Sequence, residues 1–275
     1  MRRRRDRRRG FVLLVTLVTL AIAGLLLASL ANRSLTLAMQ AETETAETQL
    51  HWGAVSVRQA TVKVLSTSPE NAPYAPTSQS LRLGDVAFQI VIENENTKLN
   101  LNRLLPSLGR DSLEKLAQSL TSADVQLTPS QDISETAFQS WGQVFCFDDR
   151  PDGQLKIDWL RNRARHLTCY GNGRIDYRNT DDRVVRALFE AIEEPIAGQK
   201  FMQVKKLSST TSLEKLLASK VLDKDTQRVL KRWLTDRVEF KSVWLSGETR
   251  TRKSESLSVV DLRTRQFPQV QTFSW

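Results

Sequence analysis

The first hydrophobic pattern along the chain is an uninterrupted apolar run over residues 11–31. The run contains no charged residue, and two threonines and one serine are its only polar side chains apart from the single glycine. A helix of this length rises about 31 Å, which matches the hydrocarbon core of a bilayer. The sequence therefore predicts one transmembrane helix at residues 11–31.

An amphipathic pattern continues beyond the apolar run, with apolar side chains at spacings of three, four or seven and charged side chains between them. The apolar positions are Leu35, Met39, Ala46, Leu50, Ala54, Val57 and Val64. No proline appears before Pro69, so one helix is expected from Phe11 to about Leu65, with residues 32–65 beyond the membrane. A membrane anchor followed by a stalk or coiled-coil helix would show the same stripe.

Strand patterns lie on both sides of a long helical region. Residues 66–80 contain three prolines and end the helix in a loop, and residues 81–93 alternate as in a half-buried strand or hairpin. Residues 238–246 and 256–263 flank a charged turn and predict another hairpin. Between them we expect helices at 112–120, 134–141, 181–192, 211–218 and 224–236, the fourth opened by a capping box of Thr211 and Glu214.

These patterns predict an α+β fold. A long N-terminal helix packs on a small antiparallel sheet formed by residues 66–93 and 237–275, and residues 94–236 form a large inserted helical domain. The chain has 275 residues, which is enough to bury a sizeable core.

The net charge of +9 is concentrated at the N-terminus. Residues 1–10 contain seven arginines and Asp6, and the rest of the chain is nearly balanced, with 33 basic and 30 acidic residues. No nucleic-acid partner is predicted, because no later stretch combines basic and aromatic residues. By the positive-inside rule, residues 1–10 stay in the cytoplasm and the C-terminal body is translocated.

Three interpretations of the N-terminus compete at this point. A cleaved secretory signal could end at Ser29-Leu30-Ala31, although such signals have apolar regions of only about 7–15 residues. A twin-arginine signal could be seen in Arg8 and Arg9. An uncleaved anchor on a bitopic exported binding or stalk protein is the third.

The junction of Gly10 and Phe11 supports a fourth interpretation. A basic leader that ends in glycine and precedes an apolar run starting with phenylalanine resembles the prepilin-type leader of type IV pilins and type II secretion pseudopilins. The resemblance implies that a prepilin peptidase and methyltransferase removes residues 1–10 and methylates the amine of Phe11. The membrane helix would then remain on the mature protein.

A second motif, Lys98-Leu99-Asn100-Leu101-Asn102, follows the strand at residues 81–93. It closely resembles a signature of the K-type minor pseudopilin of type II secretion systems, and a weaker match covers residues 167–175, with Asp176 and Arg178 where the family has asparagines. Alternate asparagines at a strand exit can bond free backbone groups and hold the crossover into the helices. A simple polar turn is the alternative.

Val15 stands at a position where most pilin-like subunits have glutamate. The K-type subunit resembles this chain in lacking that glutamate. The resemblance therefore implies a subunit at the tip of the pseudopilus, which helps to initiate its assembly for protein export. The implied partners are the other minor pseudopilins, the major pseudopilin and the processing peptidase. The implied location is the cell inner membrane, with a periplasmic body.

No enzyme is predicted. His51 and His166 are the only histidines, and the sequence shows no catalytic triad, P-loop or zinc pattern. No cofactor is required, although the resemblance implies calcium in the helical domain, for which Asp148, Asp149 and Asp152 are the candidate ligands. The alternative is a solvated acidic turn.

Cys146 and Cys169 are the only cysteines. Both would lie on the oxidising side of the membrane, where a disulfide between them would stabilise the fold by about 3 kcal/mol in the chain-entropy model. Two buried free thiols are the alternative.

Overall fold

The computed structural model describes residues 3–67, 77–121, 137–145, 156–207, 212–219, 222–264 and 268–274. Its first element is one helix, α1 (Arg3–Thr67), of 65 residues. This helix is about 98 Å long. We expected this helix to start at Phe11, but it begins earlier. Arginine has a high helix propensity and the leader contains no proline, so the helix extends into the leader.

The N-terminal part of α1 has an apolar surface that other described residues leave uncovered. Large apolar side chains from Phe11 to Leu30 are exposed. By length and composition, this helix is able to cross a membrane. The structure thus contains a helix suited to a single-pass membrane anchor, as the apolar run predicted.

The described residues contain one large sheet and two short strand pairs. The strands are β1 (Thr77–Leu83), β2 (Val86–Asn94), β3 (Leu99–Asn100), β4 (Leu167–Thr168), β5 (Ile175–Asp176), β6 (Leu234–Thr235), β7 (Phe240–Glu248), β8 (Lys253–Asp261) and β9 (Gln269–Ser274). The large sheet is antiparallel throughout, in the order β1-β2-β7-β8-β9. The hairpin predicted at residues 238–263 is present as β7-β8. The strand or hairpin predicted at residues 81–93 is the hairpin β1-β2, in which β1 begins within the predicted loop at 66–80, and β9 was not predicted.

The second half of α1 packs on one face of this sheet. Leu50, Val57 and Leu65 are buried in a cluster with side chains of β2, β7 and β8. Close to the start of this contact, Glu47 pairs with Arg252 in the β7-β8 turn at 3.0 Å. The helix therefore runs from the end of the sheet at that turn towards the opposite end, from which β2 leaves for the insert.

Two glycines set the closest approach of α1 to the sheet. A Cβ at Gly53 on the helix would lie 2.5 Å from the ring of Phe88 on β2, and a Cβ at Gly247 on β7 would lie 2.7 Å from the same ring. The Phe88 ring thus occupies space that both glycines leave open. This aromatic contact fixes the distance between the helix and the sheet.

The chain leaves the sheet after β2 and returns to it at β7, and the insert between them contains the remaining helices. They are α2 (Leu101–Thr121), α3 (Lys156–Arg163), α4 (Asp182–Ala191), α5 (Pro195–Leu207), α6 (Leu213–Leu217) and α7 (Lys224–Trp233). The prediction of a helical insert is confirmed. Helices α3 and α5 were not predicted, and α2 begins at Leu101 and bends at Gly109, where φ is 68°.

Two helix predictions are wrong in detail. The described part of the predicted helix at 134–141 is not helical before Trp141, where a single 3-10 turn begins. The N-cap of α6 is Ser212, without a side-chain cap bond, rather than the expected Thr211, which lies outside the described residues. Both errors came from short local patterns, which tertiary contacts readily override.

The face of the sheet away from α1 is covered by the insert. Val91, Trp244 and Leu257 are register partners on β2, β7 and β8, and all three are buried in the large core of the insert. The fold therefore has three layers: α1, the antiparallel sheet and the helical insert. Since the insert begins at the end of the sheet near Leu65, it begins far from the membrane segment.

Candidate functional site

The predicted processing site and tip marker lie on α1. Gly10 is inside the helix, Phe11 begins the exposed apolar surface, and Val15 is 42% exposed one turn later. Positions four residues apart share a face of an α-helix, so Phe11 and Val15 lie on one apolar edge of α1. Cleavage at Gly10 and methylation of Phe11 stay predictions.

The motif at residues 98–102 lies where the chain passes from β2 into the insert. Its middle residues form β3, which pairs in parallel with β4, and the N–H of Leu99 donates to the carbonyl oxygen of His166 at 2.8 Å. Leu99 and Leu101 are fully buried in the core of the insert. The alternation of the motif thus separates two core leucines from three polar side chains.

Asn100 connects three segments through its side-chain amide. Its Nδ2 donates to the carbonyl oxygens of Tyr170 at 2.7 Å and Gly171 at 3.4 Å, just beyond β4. Its Oδ1 accepts from the N–H of Arg103 at 3.0 Å. That N–H is in the first turn of α2, where backbone donors lack helical partners. Asn100 therefore fixes the start of α2 against the exit of β4.

Asn102, two residues after Asn100, also bonds the segment that follows β4. Its Nδ2 donates to the carbonyl oxygen of Cys169 at 2.6 Å and to that of Phe138 at 2.9 Å. Its Oδ1 accepts from the N–H of Phe138 at 2.6 Å. The amides therefore do bond backbone groups, as their alternation suggested. Apart from the N–H of Arg103, these groups lie far along the chain rather than in the crossover itself.

Lys98 is the centre of a buried ion network. Its side chain is 4% exposed, and its Nζ lies 2.7 Å from Glu95 Oε1 and 2.8 Å from Glu93 Oε2. The other oxygen of Glu93 pairs with Arg161 Nε at 3.0 Å, and the Thr168 hydroxyl donates to Glu95. Lys98 thus lies between two carboxylates, and Arg161 joins Glu93 to a third, Asp158, at 3.2 Å.

The charges in this network hold each other ionised. Burial disfavours the charged form of Lys98, but the Glu95 and Glu93 carboxylates outweigh it and raise the pKa of Lys98 above its ordinary value. Burial also disfavours the Glu93 carboxylate, but Lys98 and Arg161 outweigh it and lower the pKa of Glu93. Lys98 and Glu93 are therefore both charged at neutral pH, and removing one partner would leave a buried charge unpaired.

A second junction ties the insert back to the sheet. Asn96 Nδ2 donates to the carbonyl oxygen of Arg174 at 2.9 Å, and Asn96 Oδ1 accepts from the N–H groups of Glu239 and Phe240, both at 2.9 Å. Phe240 begins β7, the strand that returns to the sheet. One buried amide thus joins the beginning, the middle and the end of the inserted domain.

Asp176 has the same place in this junction that Asn100 has in the first. Each is the second residue of a two-residue strand, and β5 pairs with β6 in parallel as β3 pairs with β4. The Asp176 carboxylate accepts from Asn94 Nδ2 at 3.1 Å and from Asn179 Nδ2 at 2.8 Å. Burial nevertheless raises the pKa of Asp176. The weaker match at residues 167–175 therefore leads into a second copy of the junction geometry.

No role was predicted from the sequence for Glu93, Glu95 or Asn96, although these residues make many of the contacts in the two junctions. The only signal was the polar run that they form directly after a strand. Their partners lie on β4, α3 and β7, so local patterns could not identify them. The structure therefore extends the five-residue motif to the polar side chains that precede it.

The predicted calcium and disulfide sites fall mainly outside the described residues. Asp148, Asp149, Asp152 and Cys146 all lie there, so both sites stay predictions. Cys169 is buried and free of any disulfide to a described residue, and burial, together with the Glu95 charge, raises the pKa of its thiol. Within the described ranges, no group of three or more histidine, cysteine or acidic residues is placed to hold a metal.

The fold is similar to that of a chain in the crystal structure of the GspK-GspI-GspJ complex from the type 2 secretion system of enterotoxigenic Escherichia coli. The TM-score is 0.53 at 14% sequence identity, and the match covers 86% of this chain and 99% of that chain. No protein-family model and no curated protein matches the sequence. At this identity the likeness shows a shared fold, and the predicted pilin-like α+β class is confirmed.

Proposed function

We propose that this chain is a minor pseudopilin of a type II secretion system, which caps the tip of the pseudopilus and helps to initiate its assembly. The observation that carries the proposal is the architecture of α1. One continuous helix is apolar and exposed in its first half and packs on an antiparallel sheet in its second half. This arrangement suits a subunit that is anchored in the membrane and assembles through its helix.

The apolar half of α1 supplies the assembly surface in this proposal. Its exposed side chains pack in the membrane against the corresponding helices of other minor pseudopilins and of the major pseudopilin. A prepilin peptidase and methyltransferase prepares this helix by cleaving after Gly10 and methylating Phe11. Residues 1–10 face the cytoplasm before cleavage, and the body lies in the periplasm next to the inner membrane.

The position of the insert supports a place at the tip. Between Ala31 and Leu65, α1 rises about 51 Å away from the membrane segment, and the insert begins at that distal end of the sheet. A bulky domain there is accommodated above the last subunit of a filament. Val15 fits the same place, because a subunit without a carboxylate at this depth cannot pair with the amine of a subunit above it.

The proposed role is structural. It assigns no catalytic step to the chain and requires no cofactor. Calcium at Asp148, Asp149 and Asp152 would serve to order the insert if it binds, since carboxylate oxygens are the ligands that this ion prefers.

Imaging of assembled filaments tests the place of the subunit. The chain is produced with the major and minor pseudopilins of its own host, and sheared pseudopili are labelled with gold-conjugated antibodies against the helical insert. The proposal predicts label at one end of each filament, while antibodies against the major subunit label its length. Insert-specific label distributed along the shaft would contradict the tip role.

A further inference from the structure

A charged cleft lies on the surface of the insert, between α2, the α4-α5 connection and α7. It has a volume of about 500 Å³. Its lining includes the side chains of Arg103, Arg232 and Trp233, together with those of Ile192, Val229 and Glu194. The cleft thus combines two guanidinium groups and an indole ring with an apolar wall.

The Arg103 side chain is held in place within this cleft. Its Nη1 donates to the carbonyl oxygen of Asn172 at 2.9 Å, its Nη2 donates to that of Arg232 at 2.7 Å, and its guanidinium carbon lies 4.1 Å from the ring centre of Trp233. A Cβ at Gly173 would overlap its aliphatic part. These contacts fix the guanidinium group before any ligand arrives, and described residues accept from only two of its five N–H donors.

The positive charge of the cleft is not neutralised by described residues. No carboxylate of the described chain lies within 4 Å of either Arg103 or Arg232, whereas Arg228, on the same helix as Arg232, pairs with Asp225 at 3.3 Å. Burial and the nearby Arg232 and Arg174 lower the pKa of Arg103, so these charges repel one another. An anion bound between the two guanidinium groups would relieve this repulsion.

We propose that Arg103, Arg232 and Trp233 bind a carboxylate of an acidic, partly apolar peptide segment from a protein partner. Guanidinium groups bind carboxylates through paired N–H donors, and the indole ring holds one of them in orientation. Ile192 and Val229 provide contact for an apolar neighbour of the acidic residue. Glu194 also lines the cleft and disfavours a ligand with dense negative charge.

A peptide is a better match than a lipid phosphate because of where the cleft lies. The insert begins beyond the far end of a helix segment that rises about 51 Å from the membrane span. An anionic lipid headgroup would need to reach this surface, whereas proteins on the exported side reach it freely. The site is formed entirely by residues of the insert, whereas the choice of a peptide over a lipid rests on the proposed membrane orientation.

Fluorescence anisotropy with the full chain in neutral detergent micelles tests the site. The probe is a labelled, capped peptide of sequence Gly-Leu-Asp-Leu-Glu-Gly, and the matched control peptide replaces the two acids by asparagine and glutamine. We expect saturable binding of the acidic peptide and affinity at least about tenfold lower for the amide peptide, because bonds between charged groups contribute about 1.5–3 kcal/mol.

Variants separate this site from general charge attraction. Arg232→Gln and Arg103→Lys are expected to weaken binding of the acidic peptide about tenfold, because each removes a guanidinium fork. Arg228→Gln makes the same charge change one turn earlier on α7. This variant is expected to leave the affinity for the acidic peptide unchanged. Glu194→Gln is expected to tighten binding, which loss of folding could not do.

Several results would overturn the proposal. These are the absence of saturable binding, equal binding of the amide peptide, or an equal loss of binding in Arg228→Gln and Arg232→Gln. Preferential binding of inorganic phosphate or of phosphatidylglycerol vesicles, lost in Arg232→Gln, would assign the cleft to a phosphate ligand instead. Near-native far-ultraviolet circular dichroism of each variant shows that the fold is retained.

Discussion

The side-chain amide of Asn100 donates a hydrogen bond of 2.7 Å to the carbonyl oxygen of Tyr170, which lies 70 positions further along the chain. This bond closes the first part of the insert back onto its own start. Asn102 bonds the backbone of Cys169 and Phe138, and Lys98 pairs with the carboxylates of Glu93 and Glu95. The inserted domain is therefore attached to the sheet by a compact polar junction in which the side chains of Lys98, Asn100 and Asn102 are all hydrogen-bonded.

Loss of the Asn102 side chain should destabilise this junction. Asn102→Ala removes the bonds to Cys169 and Phe138 and leaves their backbone groups buried without partners. We expect the free energy of unfolding to fall by about 2–3 kcal/mol. Chemical unfolding followed by tryptophan fluorescence measures it. Asn162→Ala is the control at an exposed asparagine and should change stability by less than about 0.5 kcal/mol.

Removal of the Lys98 charge should have a larger effect. Lys98→Met leaves the Glu93 and Glu95 carboxylates buried without their main partner, and we expect a loss of about 3–5 kcal/mol at neutral pH. Lys253→Met is the control, since its pair with Glu248 is more than half exposed and is expected to contribute less than about 1 kcal/mol. Equal losses in the two variants would contradict the ion network.

The same network predicts a pH dependence of stability. The folded pKa of Glu93 is lowered from 4.5, so its contribution is complete above that value and is lost as the pH falls through the lowered pKa. The folded pKa of Lys98 is raised from 10.5, so its contribution is complete below that value and is lost as the pH rises further. Unfolding curves should therefore show the difference between Lys98→Met and the native chain shrinking in acid. A difference that stays constant down to about pH 2 would contradict this account.

The contact between α1 and the sheet predicts an unusual response to alanine. Alanine normally stabilises a helix relative to glycine by about 1 kcal/mol. At Gly53, however, the added Cβ would meet the Phe88 ring at 2.5 Å, so Gly53→Ala should lower the free energy of unfolding. Gly24 has open space around it, so Gly24→Ala should not lower the free energy of unfolding. The double variant Gly53→Ala with Phe88→Leu should recover part of the loss, which unfolding curves measure.

The elements that could be predicted from the sequence have strong local periodicity. The apolar run at 11–31 and the stripe from Leu35 to Val64 indicated α1, and alternation indicated β2. The hairpin of β7 and β8 and helices α4 and α7 also followed from local patterns. Strands of only two residues, such as β3 and β5, have no period to detect, and they are defined by parallel partners that lie 68 and 59 residues away, respectively.

The candidate site was only partly accessible from the sequence. The motif at residues 98–102 could be located by its resemblance, and its asparagines by their alternation. The pairing of Lys98 with Glu93 and Glu95 depends on a turn between them, and the bonds of Asn96 to Phe240 span almost the whole insert. Such contacts depend on the tertiary fold, which local patterns do not encode.

Intact mass spectrometry of the membrane-extracted protein tests the central claim most directly. The account predicts a chain that begins at Phe11 and carries one N-terminal methyl group, and it predicts that Gly10→Ala abolishes this processing while leaving the fold of the body unchanged. A chain that begins at Asn32, or one that retains residues 1–10, would contradict the assignment as a pseudopilin and would favour a secreted or simply anchored protein.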